Sequence, residues 1–356
     1  MKICFLTHNL DPFGGWGRFS DDLIFGVKAS GIETVVLTER NDGGDSLPVL
    51  SRGASLLSAV SAARRYIQKC DIIHALDGYP YGVIANLANT GLKKKLVITA
   101  VGTYAVAPFY DWRYSFLLKR AYRAADRVIS ISSFTQTEIG RKVRLHNTLV
   151  INPGVNLEHF TQKREESNEQ YIISVGALKY RKGHHVSIPA FALARREIKN
   201  LKYIIVGDQG DAAYYSLLRR LVKENNVERD VIFLEKISDD KLAGLYRSAR
   251  LFILTSVNHN HRFEGFGLVF LEAAASGLPV LGTTGNGIED SVNTGANGYL
   301  VPQNDINEAA RQIVNIIQNK NEWQRMSEQS YQWAKHHDQR KSVLRYIDEY
   351  RAILTK

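Results

Sequence analysis

Cysteine is scarce in this chain of 356 residues, which contains only two, Cys4 and Cys70. Two cysteines exclude a disulfide framework. The sequence also lacks a Cys-x-x-Cys pair and any Cys/His cluster at the spacing of metal ligands, which excludes a structural zinc site of that kind. Such sparse use of cysteine is typical of a reducing compartment, so the sequence predicts a cytoplasmic protein.

Long apolar runs are also absent. No stretch reaches the roughly 18 apolar residues of a membrane span, and the apolar opening Met1–Leu6 is too short for the core of a signal peptide. The 27 glycines and 8 prolines are too few for a collagen-like or low-complexity chain. With 44% hydrophobic and 23% charged residues, the composition is typical of a soluble globular protein. The length predicts about two domains.

Acidic residues are outnumbered, because 46 Lys and Arg face 36 Asp and Glu, and the formal net charge is +10. This excess suits phosphorylated ligands, an anionic membrane surface or a polyanion, although a solvated basic surface also explains it. Charge alone therefore keeps a nucleic-acid-binding protein among the function classes. No recognised nucleic-acid-binding module is present, so we predict no nucleic-acid partner.

Apolar runs of strand length alternate with amphipathic helical stretches such as Asp21–Ser30 and Leu56–Gln68. Strands separated by helices in this way predict crossover connections and parallel sheets. The strand candidates of the first half are residues 1–7, 34–38, 71–75, 95–99, 127–131 and 148–151. Those of the second half are residues 171–175, 202–206, 231–234, 251–255, 279–282 and 299–301.

The pattern restarts after the polar segment Thr161–Gln170, which is predicted as a linker. The sequence thus predicts an α/β fold of two Rossmann-like domains, residues 1–158 and 159–338. Their carboxyl-end loops would face an interdomain cleft, where ligands bind in such folds. The C-terminal helix, within residues 339–356, either packs on the second domain or crosses back to the first, and we place it with the first.

The strongest chemical signal is a glycine-rich helix start within Arg262–Glu272, directly after a predicted strand. Glycine at positions 265 and 267 lets a ligand approach the backbone closely. The first amides of the helix have no acceptor within it, and together with the helix dipole they favour an anion. These amides belong to Gly267, Leu268 and Val269.

Two glutamates, Glu264 and Glu272, flank this anion site with seven residues between them. Carboxylates are poor partners for an anion but accept hydrogen bonds from neutral hydroxyls. Hydroxyls on either side of a diphosphate describe a nucleotide sugar. The alternative is a capped helix with ordinary acidic residues.

The segment Glu264–Glu272, followed by Ala-Ala-Ala-Ser-Gly-Leu-Pro-Val, resembles the signature of family-four retaining glycosyltransferases, which have the GT-B fold. The resemblance covers nearly the whole chain. The supporting segments are Gly14–Gly17, Val150–Asn156, Val175–Leu178 with Lys182-Gly183, Val206–Gly210 and Ser238–Leu242. It implies a metal-independent transferase, and the sequence has no Asp-x-Asp motif of the kind metal-dependent transferases use. Asp208 is interpreted as a turn residue.

The resemblance implies a role for each matching position of the second domain. Glu264 would hold hydroxyls of the donor sugar, and Glu272 would accept from the ribose hydroxyls. Lys182 would balance charge on the leaving diphosphate, which favours the transition state over the ground state. A solvent-facing lysine is the alternative for Lys182. Backbone contacts to sugar and diphosphate would come from Phe266, Gly267, Leu268 and Val269, and Ile237 would lie near the nucleobase.

Two positions depart from the family pattern. Ala177 stands where the family usually has an arginine that shares the diphosphate charge. Lys179 and Arg181 are candidates to replace it, and we assign Arg181 to the donor site. Val101 stands where a histidine commonly contacts the donor sugar. These departures keep open a nucleotide-sugar-binding protein without transfer activity.

The first domain is expected to bind the acceptor. The resemblance implies that backbone amides at Gly15 approach the donor phosphates. Arg18, Asp77 and Tyr104 follow predicted strands or the glycine loop, and we predict that they bind the acceptor. Tyr104 also offers a substitute contact for the missing histidine.

An aromatic and basic segment, Phe109–Arg123, has helical spacing. With Lys93–Lys95 it would suit an anionic lipid surface. The alternative is a helix with a buried aromatic face and basic residues that extend to solvent.

The sequence thus predicts a cytoplasmic or peripheral membrane enzyme. It would move a hexose-type sugar from a UDP or GDP sugar to a glycan or lipid-linked acceptor, in cell-surface polysaccharide or lipopolysaccharide biosynthesis. We predict no metal and no cofactor besides the donor substrate.

Overall fold

The computed structural model describes residues 1–11, 14–41, 45–50, 55–161, 164 and 170–355. They form two compact units, of which one comprises residues 1–153 and the C-terminal segment from Gln339, and the other Gly154–Asp338. The boundary falls after Pro153, whereas the sequence predicted it after residue 158. The reason is local, because the Val155 amide donates to the His337 carbonyl at 2.9 Å and so ties this segment to the second unit.

The described part of the first unit contains a parallel seven-stranded sheet in the order β3-β2-β1-β4-β5-β6-β7. Its central strands are rich in Ile, Val and Leu and are buried on both faces, as expected of a parallel sheet. The strands are β1 (Lys2–Leu6), β2 (Glu33–Leu37), β3 (Ser46–Leu47), β4 (Ile72–Ala75), β5 (Lys95–Ala100), β6 (Arg127–Ser130) and β7 (Thr148–Val150).

Helices connect these strands. The first one buries Phe19, Leu23 and Val27, whose spacing puts them on one face. The helices are α1 (Gly15–Ala29), α2 (Leu56–Ile67), α3 (Val83–Ala88), α4 (Thr103–Val106), α5 (Trp112–Ala124) and α6 (Ser133–Gly140), and short helical turns occupy Gly78–Gly82 and Ala107–Tyr110.

The second unit contains a parallel six-stranded sheet among its described residues, in the order β10-β9-β8-β11-β12-β13. Its strands are β8 (Tyr171–Val175), β9 (Lys202–Val206), β10 (Val231–Leu234), β11 (Leu251–Ile253), β12 (Val280–Thr283) and β13 (Gly298–Val301). Its helices are α7 (Leu157–Phe160), α8 (His184–Glu197), α9 (Ala212–Glu224), α10 (Asp239–Ser248), α11 (Leu268–Ala275), α12 (Ile306–Gln318) and α13 (Lys320–His336), with turns at Tyr180–Lys182 and Gly287–Asp290.

The last helix, α14 (Gln339–Leu354), belongs to the first unit. It packs closely on α1, since a Cβ added at Gly26 would lie 2.6 Å from a methyl carbon of Val343. The Tyr350 hydroxyl also meets Nδ1 of the buried His74 at 2.7 Å, and the other ring nitrogen of His74 meets the Thr99 hydroxyl at 2.8 Å. Hydrogen bonds within the core therefore fasten this helix to β4 and β5.

The predicted α/β fold class is confirmed, and each predicted strand is present within two residues at either end. The strand β3 was missed because two residues carry no alternation pattern. The first helix begins at Gly15 and not at Asp21, because the Arg18 amide already donates to the Gly14 carbonyl at 2.8 Å. Most of the linker predicted over residues 161–170 lies outside the described residues. No described helix combines the length and apolar character needed to cross a bilayer.

Candidate functional site

Two cations meet one carboxylate in the second unit. Glu264 lies in the loop between β11 and α11, and Lys182 lies in the loop after β8. The Lys182 ammonium and the Arg181 guanidinium each contact oxygen Oε2 of Glu264 at 2.7 Å. No described donor is bonded to the other oxygen, Oε1. The structure thus brings together three predicted site residues and leaves one carboxylate oxygen available to a ligand.

The loop that carries Lys182 depends on two glycines. Gly183 has φ +72°, and a Cβ there would overlap the Thr255 carbonyl oxygen. The Thr255 hydroxyl in turn donates to the Gly183 carbonyl at 2.8 Å. Gly176 has φ +148°, and a Cβ there would lie 3.4 Å from the Lys182 ammonium. Because glycine has no Cβ, the backbone at Gly176 and Gly183 can lie close to its neighbours, and this close approach holds Lys182 against Glu264.

Burial and opposite charge act against each other on Glu264. Burial raises the pKa of its carboxyl, but the charges of Lys182 and Arg181 outweigh burial and lower the pKa to about 2. The pKa of Lys182 is lowered, chiefly by burial, against the attraction of Glu264. The carboxylate is therefore ionised at neutral pH and holds both cations beside it.

His184, the first residue of α8, is fully buried next to these groups. Burial, with smaller contributions from Lys182 and His185, lowers the pKa of its ring to about 3. His184 is thus neutral at physiological pH and adds no positive charge. The positive charge beside Glu264 comes from Arg181 and Lys182.

The helix α11 begins four residues after Glu264, at Leu268. Gly267 precedes it with φ 83° and ψ 58°, a left-handed conformation that favours glycine. The amides of Gly267, Leu268 and Val269 have no acceptor within their own helix. The Phe266 side chain is buried, and the predicted backbone contacts of this segment to a donor stay a prediction.

The loop Thr283–Gly287 packs against the Glu264 segment. The Gly287 amide donates to the Glu264 carbonyl at 2.8 Å, and a Cβ at Gly287 would overlap the Gly265 carbonyl. These backbone contacts place the loop beside Glu264.

Glu272 lies inside α11 and is buried. Its Oε2 accepts a hydrogen bond from the Tyr246 hydroxyl of α10 at 3.2 Å. The sequence missed Tyr246, because nothing in the helix pattern separates a tyrosine that reaches a site from one that fills a core. The two motif glutamates thus have different surroundings, since Glu264 faces cations and Glu272 faces a phenol.

The remaining donor-site positions lie around the same sheet. Ile237 follows β10, is half-buried and directly precedes the residue that caps α10. Lys179 is exposed and makes no ion pair with any described residue. Arg181, by contrast, reaches Glu264. Of the two candidates to replace the arginine missing at Ala177, only Arg181 joins the cluster.

The predicted positions of the first unit lie after its parallel strands. Gly15 is the first residue of α1, and a Cβ there would meet no other atom within 4 Å. Arg18 is half-buried on the same helix, where burial raises the pKa of Asp22 to about 6 and the charge of Arg18 opposes this rise. Tyr104 lies in α4 and is 55% exposed. Gly15 and Arg18 thus follow β1, and Tyr104 follows β5, which is a strand of the same sheet.

Asp77 lies two residues after the end of β4 and has unusual surroundings. It is fully buried and has φ 153°, an uncommon value for a residue with a side chain. Its Oδ1 accepts from the Gly78 amide at 2.7 Å, and its Oδ2 has no hydrogen-bond partner among the described residues. Burial raises the pKa of this carboxyl well above its ordinary range. The backbone hydrogen bonds of Gly78 and Val101 act against burial but do not cancel it.

Within the described ranges, no group of three or more His, Cys, Asp or Glu side chains is arranged to hold a metal ion. The carbonyl of Asp208 accepts from the Leu178 amide at 2.8 Å, which fits its interpretation as a turn residue.

Solved structures share this arrangement of two parallel α/β sheets, which defines the GT-B class. A sucrose-phosphate synthase from Thermosynechococcus elongatus matches with a TM-score of 0.85 and 21% identity, covering 100% of this chain and 99% of that one. The Anabaena protein HepE in complex with UDP-glucose matches with a TM-score of 0.82 and 21% identity, covering 99% of each chain. At this identity the likeness shows the fold alone.

Sequence comparisons add the family. The family model for glycosyl transferases group 1 matches residues 156–333, and the model for glycosyltransferase family 4 matches residues 13–159. The chain therefore belongs to the group 1 glycosyltransferases, as its motifs predicted. An uncharacterized glycosyltransferase of Methanocaldococcus jannaschii is 26% identical over 82% of this chain and 79% of its own length. An N-acetyl-alpha-D-glucosaminyl L-malate synthase of Bacillus anthracis is 27% identical over 74% and 69%.

Proposed function

We propose that this chain is a retaining, metal-independent hexosyltransferase. It moves a sugar from a UDP or GDP sugar to a hydroxyl of a glycan or lipid-linked acceptor, in cell-surface polysaccharide or lipopolysaccharide biosynthesis. The observation that carries the proposal is the convergence of Lys182 and Arg181 on one oxygen of Glu264, three residues before the glycine start of α11.

The chemistry follows from this geometry. Cleavage of the sugar–phosphate bond leaves negative charge on the diphosphate, and fixed cations stabilise that charge most in the transition state. Lys182 and Arg181 supply the cations, and the amides at the start of α11 add donors. The free oxygen Oε1 of Glu264 is an acceptor for a hydroxyl of the donor sugar.

Similar proteins support the proposed donor base, and the surface of the chain supports the proposed place of action. HepE of Anabaena was solved with UDP-glucose, and a mannosyltransferase relative from Mycobacterium tuberculosis is named as GDP-mannose-dependent, so both bases occur among similar proteins. A basic chain with Trp112 and Phe116 exposed on α5 fits a cytoplasmic enzyme that rests on an anionic membrane face.

Replacement of Lys182 tests the proposal directly. Lys182→Ala should lower kcat for transfer about 10²- to 10³-fold, because one fixed charge on the leaving group is lost. Glu264→Ala should abolish transfer, since both cations lose the carboxylate that positions them. The measurement is release of UDP or GDP from a panel of nucleotide sugars with and without acceptor glycans.

Two controls accompany this experiment. Lys179→Ala removes a nearby exposed lysine that makes no ion pair, and it should retain wild-type turnover. Lys182→Met keeps the apolar stem and should be as slow as Lys182→Ala while remaining folded by circular dichroism. Wild-type turnover in folded Lys182 and Glu264 variants would refute the proposal. Calorimetric binding of UDP or GDP without turnover for any donor would instead indicate a binding protein.

A further inference from the structure

An aromatic cluster occupies the carboxyl edge of the sheet in the first unit. Trp16, the second residue of α1, has three ring neighbours, with centroid distances of 5.6 Å to His8, 5.8 Å to Tyr81 and 5.1 Å to Tyr104. Its indole N–H donates to the Leu76 carbonyl at 3.1 Å. Trp16 is therefore held by contacts on several sides and has little freedom to turn.

A polar pair lies within the same cluster. Oε2 of Glu39 lies 3.1 Å from Nδ1 of His8, and the Tyr81 hydroxyl donates to the other oxygen of Glu39. The Glu39 side chain is 5% exposed. A buried carboxylate with these partners locks the rings beneath Trp16 in place.

The cluster members follow four neighbouring strands. His8, Glu39, Leu76 and Tyr104 come after β1, β2, β4 and β5, which lie side by side in the parallel sheet. Ligands of open α/β sheets bind at this carboxyl edge. Tyr104 is 55% exposed there, and no described residue bonds to its hydroxyl. The cluster thus offers a rigid aromatic surface with one available hydroxyl.

We propose that Tyr104 and Trp16 form a platform for a neutral pyranose ring of the acceptor. The axial C–H groups of a sugar carry partial positive charge and pack against the negative face of an aromatic ring. The Tyr104 hydroxyl can donate to or accept from a sugar hydroxyl. This inference rests on the proposed glycosyltransferase function and narrows its acceptor.

The charge of the cluster selects against an anionic acceptor. The acidic side chain of the cluster is Glu39, which lies against His8 and Tyr81. The cluster formed by Trp16, His8, Tyr81, Tyr104 and Glu39 contains no lysine or arginine. A phosphate or carboxylate would lose its hydration here without gaining a cation, whereas an uncharged sugar loses no such solvation.

Saturation-transfer NMR on the full chain tests the platform without requiring turnover. The probes are the methyl glycosides of glucose, galactose, mannose and N-acetylglucosamine, with L-malate, inositol 3-phosphate and UDP as comparisons. We expect ring C–H signals from at least one glycoside. Tyr104→Ala should weaken that binding about tenfold, and Tyr104→Phe should weaken it less because the ring remains.

The control is Phe25→Ala, which removes another exposed aromatic ring from α1 and should leave glycoside binding unchanged. The inference is overturned if no glycoside gives a signal, if Tyr104→Ala binds like the wild type, or if Tyr104→Ala loses malate, inositol phosphate or UDP instead. Glycoside binding through Tyr104 in a protein that transfers no sugar would refute the proposed function and leave the platform standing.

Discussion

At the scale of single residues, Glu264 shows how neighbouring cations stabilise the negative charge of a buried carboxylate. Burial of a lone carboxylate is costly, and the group then binds a proton. Here Lys182 and Arg181 at 2.7 Å reverse that outcome and lower the pKa of Glu264 to about 2. Since the pKa in the folded chain lies below the ordinary value of 4.5, ionisation of Glu264 favours the folded state.

The sign of the pKa shift fixes a dependence of stability on pH. The contribution of Glu264 should be complete above about pH 4.5 and lost as pH falls toward about 2. The difference in free energy of unfolding between the wild type and Glu264→Gln should change by about 3 kcal/mol over this interval. Urea denaturation at a series of pH values measures it, with Glu228→Gln on the exposed surface of the same unit as control. A difference that stays constant with pH would contradict the assigned ion pairs.

The sequence motifs place three residues in one predicted site, and their roles in that site stay predictions. Glu264, Lys182 and Arg181 come from segments far apart in the chain, and the structure brings them into contact. The hydrogen bond from Tyr246 to Glu272 and the unpartnered oxygen of Asp77 were not predictable. Both depend on the packing of side chains from elements that carry no shared pattern.

At the scale of elements, the loop from β8 to α8 is built on backbone contact. The Val257 amide donates to the Arg181 carbonyl at 2.9 Å, and Thr255 binds Gly183 through its hydroxyl. These bonds join the loop after β8 to the segment after β11. The position of Lys182 is therefore set by the neighbouring strand as much as by its own loop.

Gly183→Ala tests this element. An alanine at position 183 would have to adopt a left-handed backbone conformation, and its Cβ would overlap the Thr255 carbonyl. The variant should therefore lose at least about 2 kcal/mol of unfolding free energy. Gly295→Ala is a matched control, since Gly295 has φ +79° with nothing within 4 Å of an added Cβ. It should lose only about 1 kcal/mol, from backbone strain. Equal losses in chemical denaturation would show that the overlap with Thr255 has no energetic weight.

Element bounds were predictable wherever composition changes abruptly. The apolar strands β8, β9 and β10 match their predicted limits, because each apolar run ends at a glycine or a charged residue, namely Gly176, Gly207 and Glu235. The start of α1 was not predictable, since Gly14–Gly17 has low helix propensity and the helix is fixed there by packing. The sequence predicted no role for Trp16, because this residue lies in the same segment, whose helical structure was not predicted.

At the scale of the whole molecule, α5 carries aromatic side chains on a buried side and on an exposed side. It buries Leu118 and Tyr122, while Trp112 and Phe116 are 84% and 70% exposed. The buried aromatic face and the exposed aromatic stripe therefore coexist on opposite sides of the helix. Arg120 and Arg123 are also exposed and continue the stripe.

This stripe predicts binding to anionic vesicles. Trp112→Ser with Phe116→Ser should reduce cosedimentation with phosphatidylglycerol vesicles, because the apolar anchors are lost. Arg120→Gln with Arg123→Gln should lower the partition coefficient about 10- to 30-fold at low salt, at roughly 1 kcal/mol per charge. Leu57→Ser, at another exposed apolar position, is the control. Equal sedimentation with neutral phosphatidylcholine, or no effect of either double variant, would disprove membrane docking through α5.

The architecture of the whole molecule followed from the alternation of strands and helices, and the family models agree with it. The unit boundary was less predictable. The segment after Pro153 joins the second unit through the bond from Val155 to His337, two residues that are far apart in the chain.

The return of α14 to the first unit has a practical consequence for dissecting the protein. A gene fragment that stops at Pro153 lacks Tyr350 and Tyr346, and the ring of His74 would lose its bond to the Tyr350 hydroxyl inside an apolar interior. Producing that unit alone calls for joining residues 339–355 to Pro153 through an artificial tether.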